Sequence, residues 1–250
     1  MTRIAVVTGG NKGIGFETVR ALARAGMTVL LGARDVERGT AAVKELAGEG
    51  DVRFLRLEVT DADSVARAAG EIESEFGRLD VLVNNAGITG GMDGDGKPSS
   101  TSVETLREVF ETNVFGAVAV TNAFLPLLRR SPSARIVNVS SEVGSFALMM
   151  DREGPMWPMA AISYPVSKTA MTMVTAQYAK ELWETPIKVN AANPGYCATD
   201  LNGNTGFRTA TQGSEPVVHL ATLPDDGPTG ILWGYRWGAT DGEEYGTLAW

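Results

Sequence analysis

Short apolar runs alternate with longer amphipathic stretches along most of the chain, and this alternation limits the possible folds more than any other feature. The short runs are rich in Val, Ile and Leu, which is typical of strands buried on both faces. They lie at residues 4–7, 28–33, 52–57, 80–83, 136–139 and 187–191. Predicted helices lie between them at residues 13–25, 36–47, 61–76, 103–129 and 163–183. This order predicts an α/β fold, a doubly wound parallel sheet with helices on both faces.

The whole chain, residues 1–250, is predicted to form a single domain, because it contains neither an internal repeat nor a linker-like segment. The alternation weakens in the last fifth of the chain, which is rich in Gly and Trp. A helix at residues 215–223 and a final strand at residues 230–234 are expected there.

Composition excludes several classes of function. The formal net charge is −8 and no run of Lys or Arg occurs, so we expect no nucleic-acid partner. Cys197 and His219 are each the only residue of their type, which excludes an internal disulfide and metal sites built from thiolates or several histidines. His219 is expected to be a surface or packed residue. No apolar run approaches the ~20 residues that span a bilayer, and the chain opens directly on its first strand. We therefore expect a cytoplasmic protein without a membrane partner.

A glycine-rich turn follows the first predicted strand and opens the first predicted helix. It reads Thr-Gly-Gly-Asn-Lys-Gly-Ile-Gly, residues 8–15. Glycines allow backbone N–H groups to approach a pyrophosphate closely, and the helix N-terminus adds partial positive charge. The glycine spacing is G-x-x-x-G-x-G rather than the G-x-G-x-x-G of many dinucleotide dehydrogenases. At this place in a βαβ series, the turn predicts a dinucleotide site formed by Gly9, Asn11, Lys12, Gly13, Ile14 and Gly15.

The residues at the end of the second strand indicate which nicotinamide cofactor such a site prefers. An NAD-preferring fold places a carboxylate there to accept a hydrogen bond from the ribose 2′-hydroxyl. This chain instead has Ala33 followed by Arg34. Arg34 and Lys12 would converge on a 2′-phosphate, an anion that arginine binds bidentately. Asp35, the next residue, is expected to cap the following helix. These charges favour NADP(H).

Tyr164 and Lys168 lie four residues apart near the start of a predicted helix, so their side chains face the same side. Ser163 is expected to cap this helix, with Pro165 in its first turn. A phenol titrates near pH ~10 unless a neighbouring cation stabilises the phenolate. A tyrosine beside a lysine can therefore serve as a general acid or base near neutral pH. Taken alone, the pattern is also that of an ordinary helix start with a solvated lysine.

Together, these motifs resemble those of the short-chain dehydrogenase/reductase family in its compact single-domain form. The resemblance covers residues 3–200 and rests on the order and spacing of the motifs. They are the glycine turn, Asn84-Asn85-Ala86-Gly87, Asn113, Val139-Ser140-Ser141, Tyr164 with Lys168, and Pro194-Gly195. Within the family, the glycine turn, Ala33-Arg34-Asp35 and the C-terminal tail resemble the NADPH-dependent carbonyl reductases.

The resemblance implies a catalytic set of Asn113, Ser141, Tyr164 and Lys168. Tyr164 would protonate a carbonyl oxygen, while Lys168 would lower the Tyr164 pKa and bind the nicotinamide ribose. Ser141, the second serine of its pair, would hydrogen-bond the substrate oxygen. Asn113 would hold a water that links Lys168 to a proton path. Further cofactor contacts would come from Glu58, Val59, Asn85, Ala86, Gly87, Pro194, Gly195 and Thr199, in addition to Tyr164 and Lys168.

The sequence departs from the family pattern at two places. Glu58 stands where the family usually has the shorter Asp, which accepts from the adenine amino group; Glu58 or the Val59 backbone would take this role. The spacing from Ser141 to Tyr164 is also longer than is common in the family. The extra segment, residues 147–162, carries four methionines and a tryptophan. It predicts either an apolar pocket wall or lid, or a loop packed on the protein's own surface.

We expect this insertion, with the C-terminal region at residues 200–250, to build the substrate side of the site. Many family members form tetramers through the helices that flank the insertion, so its presence favours a monomer or dimer. Cys197, two residues after Gly195, is expected to lie near the nicotinamide as a small buried side chain, since no cation is evident beside it.

The sequence thus predicts NADPH-dependent reduction of a ketone or aldehyde, with an apolar small-molecule carbonyl or alcohol as the partner. An NAD-linked alcohol dehydrogenase of the same family is the first alternative. The second is a non-catalytic dinucleotide-sensing protein, which is disfavoured because such proteins tend to lose part of the catalytic set. A sugar-nucleotide epimerase or dehydratase would need a longer substrate domain and different glycine spacing.

Overall fold

The computed structural model describes residues 2–91, 96–239 and 242–250, which contain one eight-stranded sheet. The strands are β1 (Ile4–Thr8), β2 (Thr28–Ala33), β3 (Asp51–Arg56), β4 (Val81–Asn84), β5 (Arg135–Val139), β6 (Lys188–Asn193), β7 (Leu232–Tyr235) and β8 (Tyr245–Leu248). They are ordered β3-β2-β1-β4-β5-β6-β7-β8, and every neighbouring pair is parallel except β7 with β8. This confirms the predicted parallel sheet and adds one antiparallel strand at its edge.

Helices cover both faces of the sheet, as predicted. They are α1 (Gly13–Arg24), α2 (Val36–Glu45), α3 (Ala62–Phe76), α4 (Val103–Phe110), α5 (Ala117–Leu128), α6 (Phe146–Met149), α7 (Ser163–Glu181) and α8 (Ala210–Ala221). On one face, α3, α5 and α7 bury side chains such as Ile72, Phe124 and Ala179 against the sheet. On the other face, α1, α2 and α8 bury a second apolar core that includes Val19 and Leu220. No helix within the described residues is both long enough and apolar enough to cross a membrane.

The sheet has a switch point between β1 and β4, which are neighbours although two strands separate them in sequence. Loops that leave the carboxyl ends of two such strands diverge to opposite faces, and the crevice between them is where α/β sheets bind ligands. The Thr8 hydroxyl joins the two ends, because it accepts from the N–H groups of Asn85 at 3.0 Å and Ala86 at 2.9 Å. The glycine turn and the Asn85 loop therefore border the same crevice.

The prediction of one continuous α-helix at residues 103–129 is wrong, because the α-helix is interrupted in the middle of this range. A π-helical turn, Glu111–Gly116, separates α4 from α5. Within it, the Asn113 side chain accepts from the Ile88 N–H at 2.8 Å and donates to the Ile88 carbonyl at 2.9 Å. These bonds hold the wider turn against the loop after β4. Helical periodicity does not reveal them, because they depend on a partner distant in sequence.

The start of α7 also differs from the prediction. Ser163 is the first helical residue rather than the cap, a position that Ile162 takes without a side-chain bond. The Ser163 hydroxyl instead donates to the Thr89 carbonyl at 3.3 Å. The predicted cap at Asp35 is confirmed, since its side chain accepts from the Arg38 N–H. Asp61 caps α3 in a similar way, by accepting from N–H groups of the first turn.

The C-terminal region contains more regular structure than the sequence indicated. Helix α8 begins at Ala210 rather than at residue 215, because Thr209 and Gln212 form a reciprocal capping box. Strand β8 was not predicted, and it pairs antiparallel with β7. His219 is a packed residue, as expected: its ring stacks on Trp233 with 4.0 Å between centroids.

Candidate active site

The glycine turn has a conformation and a packing that require glycine. Gly9 and Gly13 have φ angles of +62° and +57°, which side-chain-bearing residues rarely adopt. At Gly15, an added Cβ would lie 2.4 Å from the Asn85 side-chain nitrogen and 2.5 Å from the Gly9 carbonyl. The Lys12 side chain does not cap α1. The first backbone N–H groups of that helix therefore have no side-chain acceptor from their own cap and suit an anion.

A cavity of about 510 Å³ opens at the switch point. It brings together most of the predicted cofactor residues, which are Gly9, Asn11, Lys12, Gly13, Ile14, Gly15, Arg34, Glu58, Val59, Asn85, Ala86, Gly87 and Thr199. Pro194, Gly195, Tyr164 and Lys168 do not line it. Further lining residues were not predicted as cofactor contacts, namely Ala33, Leu57, Ile88, Thr89, Gly90, Gly91, Glu108, Thr112, Asp200 and Leu201. Several of these follow Gly87 or Thr199 directly, and that adjacency is the signal that could have identified them.

The two cations of this cavity each lie beside a carboxylate. Lys12 Nζ is 3.1 Å from Asp200 Oδ2, and an Arg34 guanidinium nitrogen is 3.7 Å from Glu58 Oε2. The Glu58 carboxylate also accepts from the Thr60 hydroxyl at 3.0 Å. Both cationic side chains are well exposed, so these ion pairs contribute little to stability. An anion of higher charge can therefore replace Asp200 beside Lys12 or Glu58 beside Arg34.

Helix α7 positions Tyr164 and Lys168 together at the end of β5. Lys168 Nζ lies 5.3 Å from the centre of the Tyr164 ring and donates to the Val139 carbonyl at 2.7 Å. The Ser167 hydroxyl donates to the Tyr164 carbonyl at 2.7 Å and accepts from the Asn113 side chain at 3.0 Å. The π turn, α7 and β5 are thereby joined around this pair.

Burial shifts the titration of both groups toward their neutral forms. It lowers the pKa of Lys168 to about 8. Burial also raises the pKa of Tyr164, and the nearby Glu142 and Cys197 add to that rise. This rise is opposite to the lower Tyr164 pKa that was expected from the neighbouring lysine. Tyr164 therefore holds its proton at neutral pH.

The two serines after β5 have different surroundings. Ser140 is buried, donates to the Lys168 carbonyl at 3.2 Å and shares a hydrogen bond of 2.8 Å with the Thr172 hydroxyl. Ser141 is half-buried, and its hydroxyl accepts a long bond of 3.4 Å from the Val143 N–H. Of the two, Ser141 has the hydroxyl that is available to a ligand.

Sequence reasoning missed the buried pair formed by Glu142 and Asn193. The Asn193 side chain accepts from the N–H groups of Glu142 at 2.9 Å and Gly195 at 3.2 Å. It also donates to Glu142 Oε2 at 2.9 Å and to the Tyr235 carbonyl at 2.7 Å. This one amide ties the loop after Ser141 to the Pro194-Gly195 turn and to β7. The residues are far apart in sequence, so no local pattern could have linked them.

Cys197 is a small buried side chain, as expected, and its thiol contacts the Pro194 carbonyl at 3.4 Å. The expectation that no cation lies beside it was wrong, because Arg208 is its neighbour and also donates to the Pro194 carbonyl at 3.1 Å. Burial outweighs that charge and raises the pKa of Cys197 to about 11. The thiol therefore stays protonated and unreactive at neutral pH.

The insertion at residues 147–162 packs against the C-terminal tail. The Ser145 hydroxyl donates to the Ala249 carbonyl at 2.7 Å, and the Ala147 N–H donates to the Trp250 carbonyl at 3.2 Å. Between insertion and tail lies a second cavity of about 440 Å³. It is lined by Glu142, Leu148, Asp151, Glu153, Gly154, Pro155, Met156, Arg236, Trp237, Gly238, Ala239, Thr247, Leu248 and Ala249. Of the apolar insertion residues, Met156 is buried there, whereas Met150, Trp157 and Met159 are exposed.

The motifs that surround these cavities match the model of one protein family, described as short chain dehydrogenase, over residues 3–208. The chain belongs to the short-chain dehydrogenase/reductase family. It is 36% identical to (+)-neomenthol dehydrogenase of Capsicum annuum over 94% of this chain and 96% of that protein. The family resemblance inferred from the sequence is thereby confirmed.

Two carbonyl reductases are also similar to this chain. Carbonyl reductase [NADPH] 3 of Rattus norvegicus is 36% identical over 90% of this chain and 92% of that protein. The crystal structure of NADPH-bound carbonyl reductase from chicken fatty liver superposes with a TM-score of 0.82 and 27% identity, covering 100% of this chain and 99% of that one. These matches make the chain an oxidoreductase of a family that interconverts alcohols and carbonyl compounds.

Proposed function

We propose that this protein reduces a ketone or aldehyde to an alcohol with NADPH. The observation that carries the proposal is the α7 geometry, in which Lys168 lies beneath the Tyr164 ring and binds the end of β5 just before the serine pair. Tyr164 is the proton donor to the carbonyl oxygen. Its raised pKa favours reduction over alcohol oxidation, because oxidation begins with a phenolate that burial disfavours.

The other proposed catalytic roles follow from the same contacts. Ser141 donates a hydrogen bond to the substrate oxygen, where negative charge develops during the reaction. Lys168 supplies positive charge beside Tyr164 and binds the nicotinamide ribose. Asn113 is bonded to the backbone of Ile88 and to Ser167. It thereby positions α7, and its turn holds the water of the proton path.

The cavity at the switch point fits a dinucleotide. The close approach at Gly15 leaves no room for a Cβ, and the uncapped start of α1 presents N–H groups to a pyrophosphate. Asn85, Ala86, Gly87 and Val59 would contact the adenosine half, and Pro194, Gly195 and Thr199 the nicotinamide half. When bound, the cofactor supplies the hydride to the carbonyl carbon.

Lys12 and Arg34 support NADP(H) rather than NAD. Arg34 follows the neutral Ala33 and borders the same cavity as Lys12. A 2′-phosphate would replace Glu58 as the partner of Arg34, and a dianion attracts the guanidinium more strongly than one carboxylate does. The two similar carbonyl reductases support this choice, since one carries NADPH in its name and the other is NADPH-bound in its crystal structure.

The experiment that tests the reaction is a panel of ketones and aldehydes, each followed by the loss of NADPH absorbance. Absence of turnover across apolar aromatic and aliphatic carbonyls would contradict the reductase proposal.

Cofactor choice is tested separately by measuring dissociation constants of NADP⁺ and NAD⁺ by calorimetry. We expect Arg34→Ala to weaken NADP⁺ binding by about tenfold or more, in line with loss of a charge-assisted bidentate bond, and to leave NAD⁺ nearly unchanged. Arg107→Ala, on exposed α4, is the control, and equal wild-type affinity for both cofactors would contradict the choice of NADP(H).

A further inference from the structure

Glu142 is a buried carboxylate for which the proposed reaction has no use. The residue is only 4% exposed, and the Asn193 side chain donates a hydrogen bond to one of its oxygens, Oε2. Within the described chain, no hydrogen bond reaches the other oxygen, Oε1, and no cation lies within ion-pair distance. A buried carboxylate without an ionic partner is costly, and burial raises the pKa of Glu142 although Asn193 and Arg208 oppose the rise. The burial of Glu142 is therefore not explained by a contribution to the folding stability of the chain.

Glu142 lines the 440 Å³ cavity between the insertion and the tail, and that cavity is acidic. Asp151 and Glu153 also line it, whereas Arg236 is the cation among its lining residues. The Arg236 side chain lies over Gly246, where an added Cβ would be 2.8 Å from its Cδ. Among the described lining residues, three carboxylates and one guanidinium give the wall a net negative charge.

The cavity is next to the catalytic residues. Glu142 follows Ser141 directly, and the turn it begins packs on α7, since a Cβ on Gly144 would lie 2.8 Å from the Lys168 carbonyl. The charge of Glu142 is also near enough to raise the pKa of Tyr164. Glu142 thus borders both the catalytic residues and the cavity, and a substrate that reaches from Ser141 and Tyr164 into the cavity has to pass it.

We propose that this cavity is a subsite for a protonated amine on the carbonyl substrate, with Glu142 as its principal anion. The proposal rests on the reductase function proposed above. An ammonium group would give Glu142 Oε1 the charged donor that the chain itself does not supply. Trp237 provides an aromatic wall that attracts cations, and Leu148 and Met156 contact the hydrocarbon part of the ligand. A carboxylate-bearing substrate is repelled.

The decisive variant is Glu142→Gln, which keeps an oxygen acceptor for Asn193 and removes the charge. Because a neutral amide costs less free energy to bury than a carboxylate, we expect this variant to fold and to melt at or above the wild-type temperature. Glu184→Gln changes an exposed carboxylate that does not line the cavity and is the matched control. Asp151→Asn combined with Glu153→Gln tests the exposed rim of the cavity.

The probes are three aryl alkyl ketones of one skeleton that end in a dimethylammonium, an isopropyl or a carboxylate group. Values of kcat/KM with NADPH give the preference, and calorimetric titration in the presence of NADP⁺ gives the affinity independently of turnover. We expect wild type to prefer the ammonium over the isopropyl ketone by about tenfold, as for one desolvated charge-assisted contact. Glu142→Gln should abolish most of that ratio, the rim variant should reduce it less, and Glu184→Gln should not change it.

A wild-type ratio near one, or a ratio that Glu142→Gln leaves unchanged, would overturn the subsite. A protein that binds the ammonium ketone preferentially but reduces none of the three would retain the subsite and refute the reductase function. Turnover of all three ketones without charge preference would refute the subsite and retain the reductase function.

Discussion

Tyr164 is surrounded by groups that oppose its ionisation. Burial, Glu142 and Cys197 all raise its pKa, so the phenol remains protonated through the physiological range. We expect Tyr164→Phe to retain the ring that packs on Lys168, and therefore to retain NADPH binding. Its turnover should fall by ~10²–10⁴-fold, the usual contribution of one proton-transfer group. Steady-state rates and cofactor titrations measure the two effects separately.

Tyr178→Phe is the matched control, because the Tyr178 hydroxyl lies on the same helix and donates to Asn122 at an exposed position. Unchanged turnover in Tyr164→Phe, or an equal loss in both variants, would contradict the role assigned to Tyr164.

The buried ammonium of Lys168 lowers the free energy of unfolding by an amount that depends on pH. Its pKa is about 8 in the folded chain, against 10.5 ordinarily, because burial disfavours the ammonium. Between these values the unfolded chain binds more protons than the folded chain, so this group makes the free energy of unfolding increase with pH. Lys168→Met removes the charge, and we expect it to be more stable than wild type at pH 7 by about 1–3 kcal/mol. Loss of the bond to the Val139 carbonyl offsets part of that gain.

Urea unfolding at pH 7, 8, 9 and 10 measures this difference. The advantage of Lys168→Met should shrink from pH 8 to pH 10, as wild type loses the proton from Lys168. Lys180→Met, an exposed lysine on the same helix, should show no such trend. An advantage that grows with pH would contradict a Lys168 pKa below its ordinary value.

At the scale of elements, both irregular turns that border the crevice are held by contacts between distant segments. The π turn is fixed by the bonds from Asn113 to Ile88, and the glycine turn by close packing against Asn85. Such wider turns inside helices are frequent at functional sites, since they re-aim one side chain or carbonyl. Here the π turn brings Asn113 against both the loop after β4 and α7.

The tightness of the glycine turn gives a test at this scale. Gly15→Ala introduces a Cβ within 2.5 Å of the Gly9 carbonyl and closer still to the Asn85 side chain, so the turn has to move. We expect the free energy of unfolding to fall by about 1–3 kcal/mol, as for an overpacked site. Affinity for NADP⁺ should fall at least about tenfold, since a displacement of the phosphate-binding backbone weakens several N–H contacts at once. Denaturant melts and calorimetry measure the two effects.

Gly70→Ala is the control, because Gly70 is exposed on α3 and an added Cβ there meets nothing within 4 Å. This variant should be slightly stabilised, by about 0.5–1 kcal/mol, because alanine favours a helix interior over glycine. A stable Gly15→Ala variant with full cofactor affinity would contradict the close packing.

At the scale of the whole molecule, the insertion is bonded to the chain's own tail and runs directly into α7. A second chain that packed along the start of α7 would meet this segment first. We therefore expect light scattering to give a mass of one or two chains over a wide concentration range. A mass near four chains would contradict the expectation.

The sequence alone predicts the parallel sheet, the positions of its first six strands along the chain and the turn that precedes α1. These features depend on local patterns: apolar runs of strand length, amphipathic periodicity and glycines at a strand end. The family resemblance, confirmed by the comparisons, located the candidate catalytic residues at Asn113, Ser141, Tyr164 and Lys168. Their catalytic roles remain predictions.

How those residues are supported, and which charges surround them, depends on contacts that exist only in the folded chain. The link from Asn193 to Glu142, the carboxylates beside Lys12 and Arg34, and the bond from Lys168 to β5 each join segments far apart in sequence. Burial, which reverses the expected shift of the Tyr164 pKa, is a property of the packed chain rather than of nearest neighbours. Charge and periodicity are readable along a sequence, but desolvation depends on which distant segments cover a group.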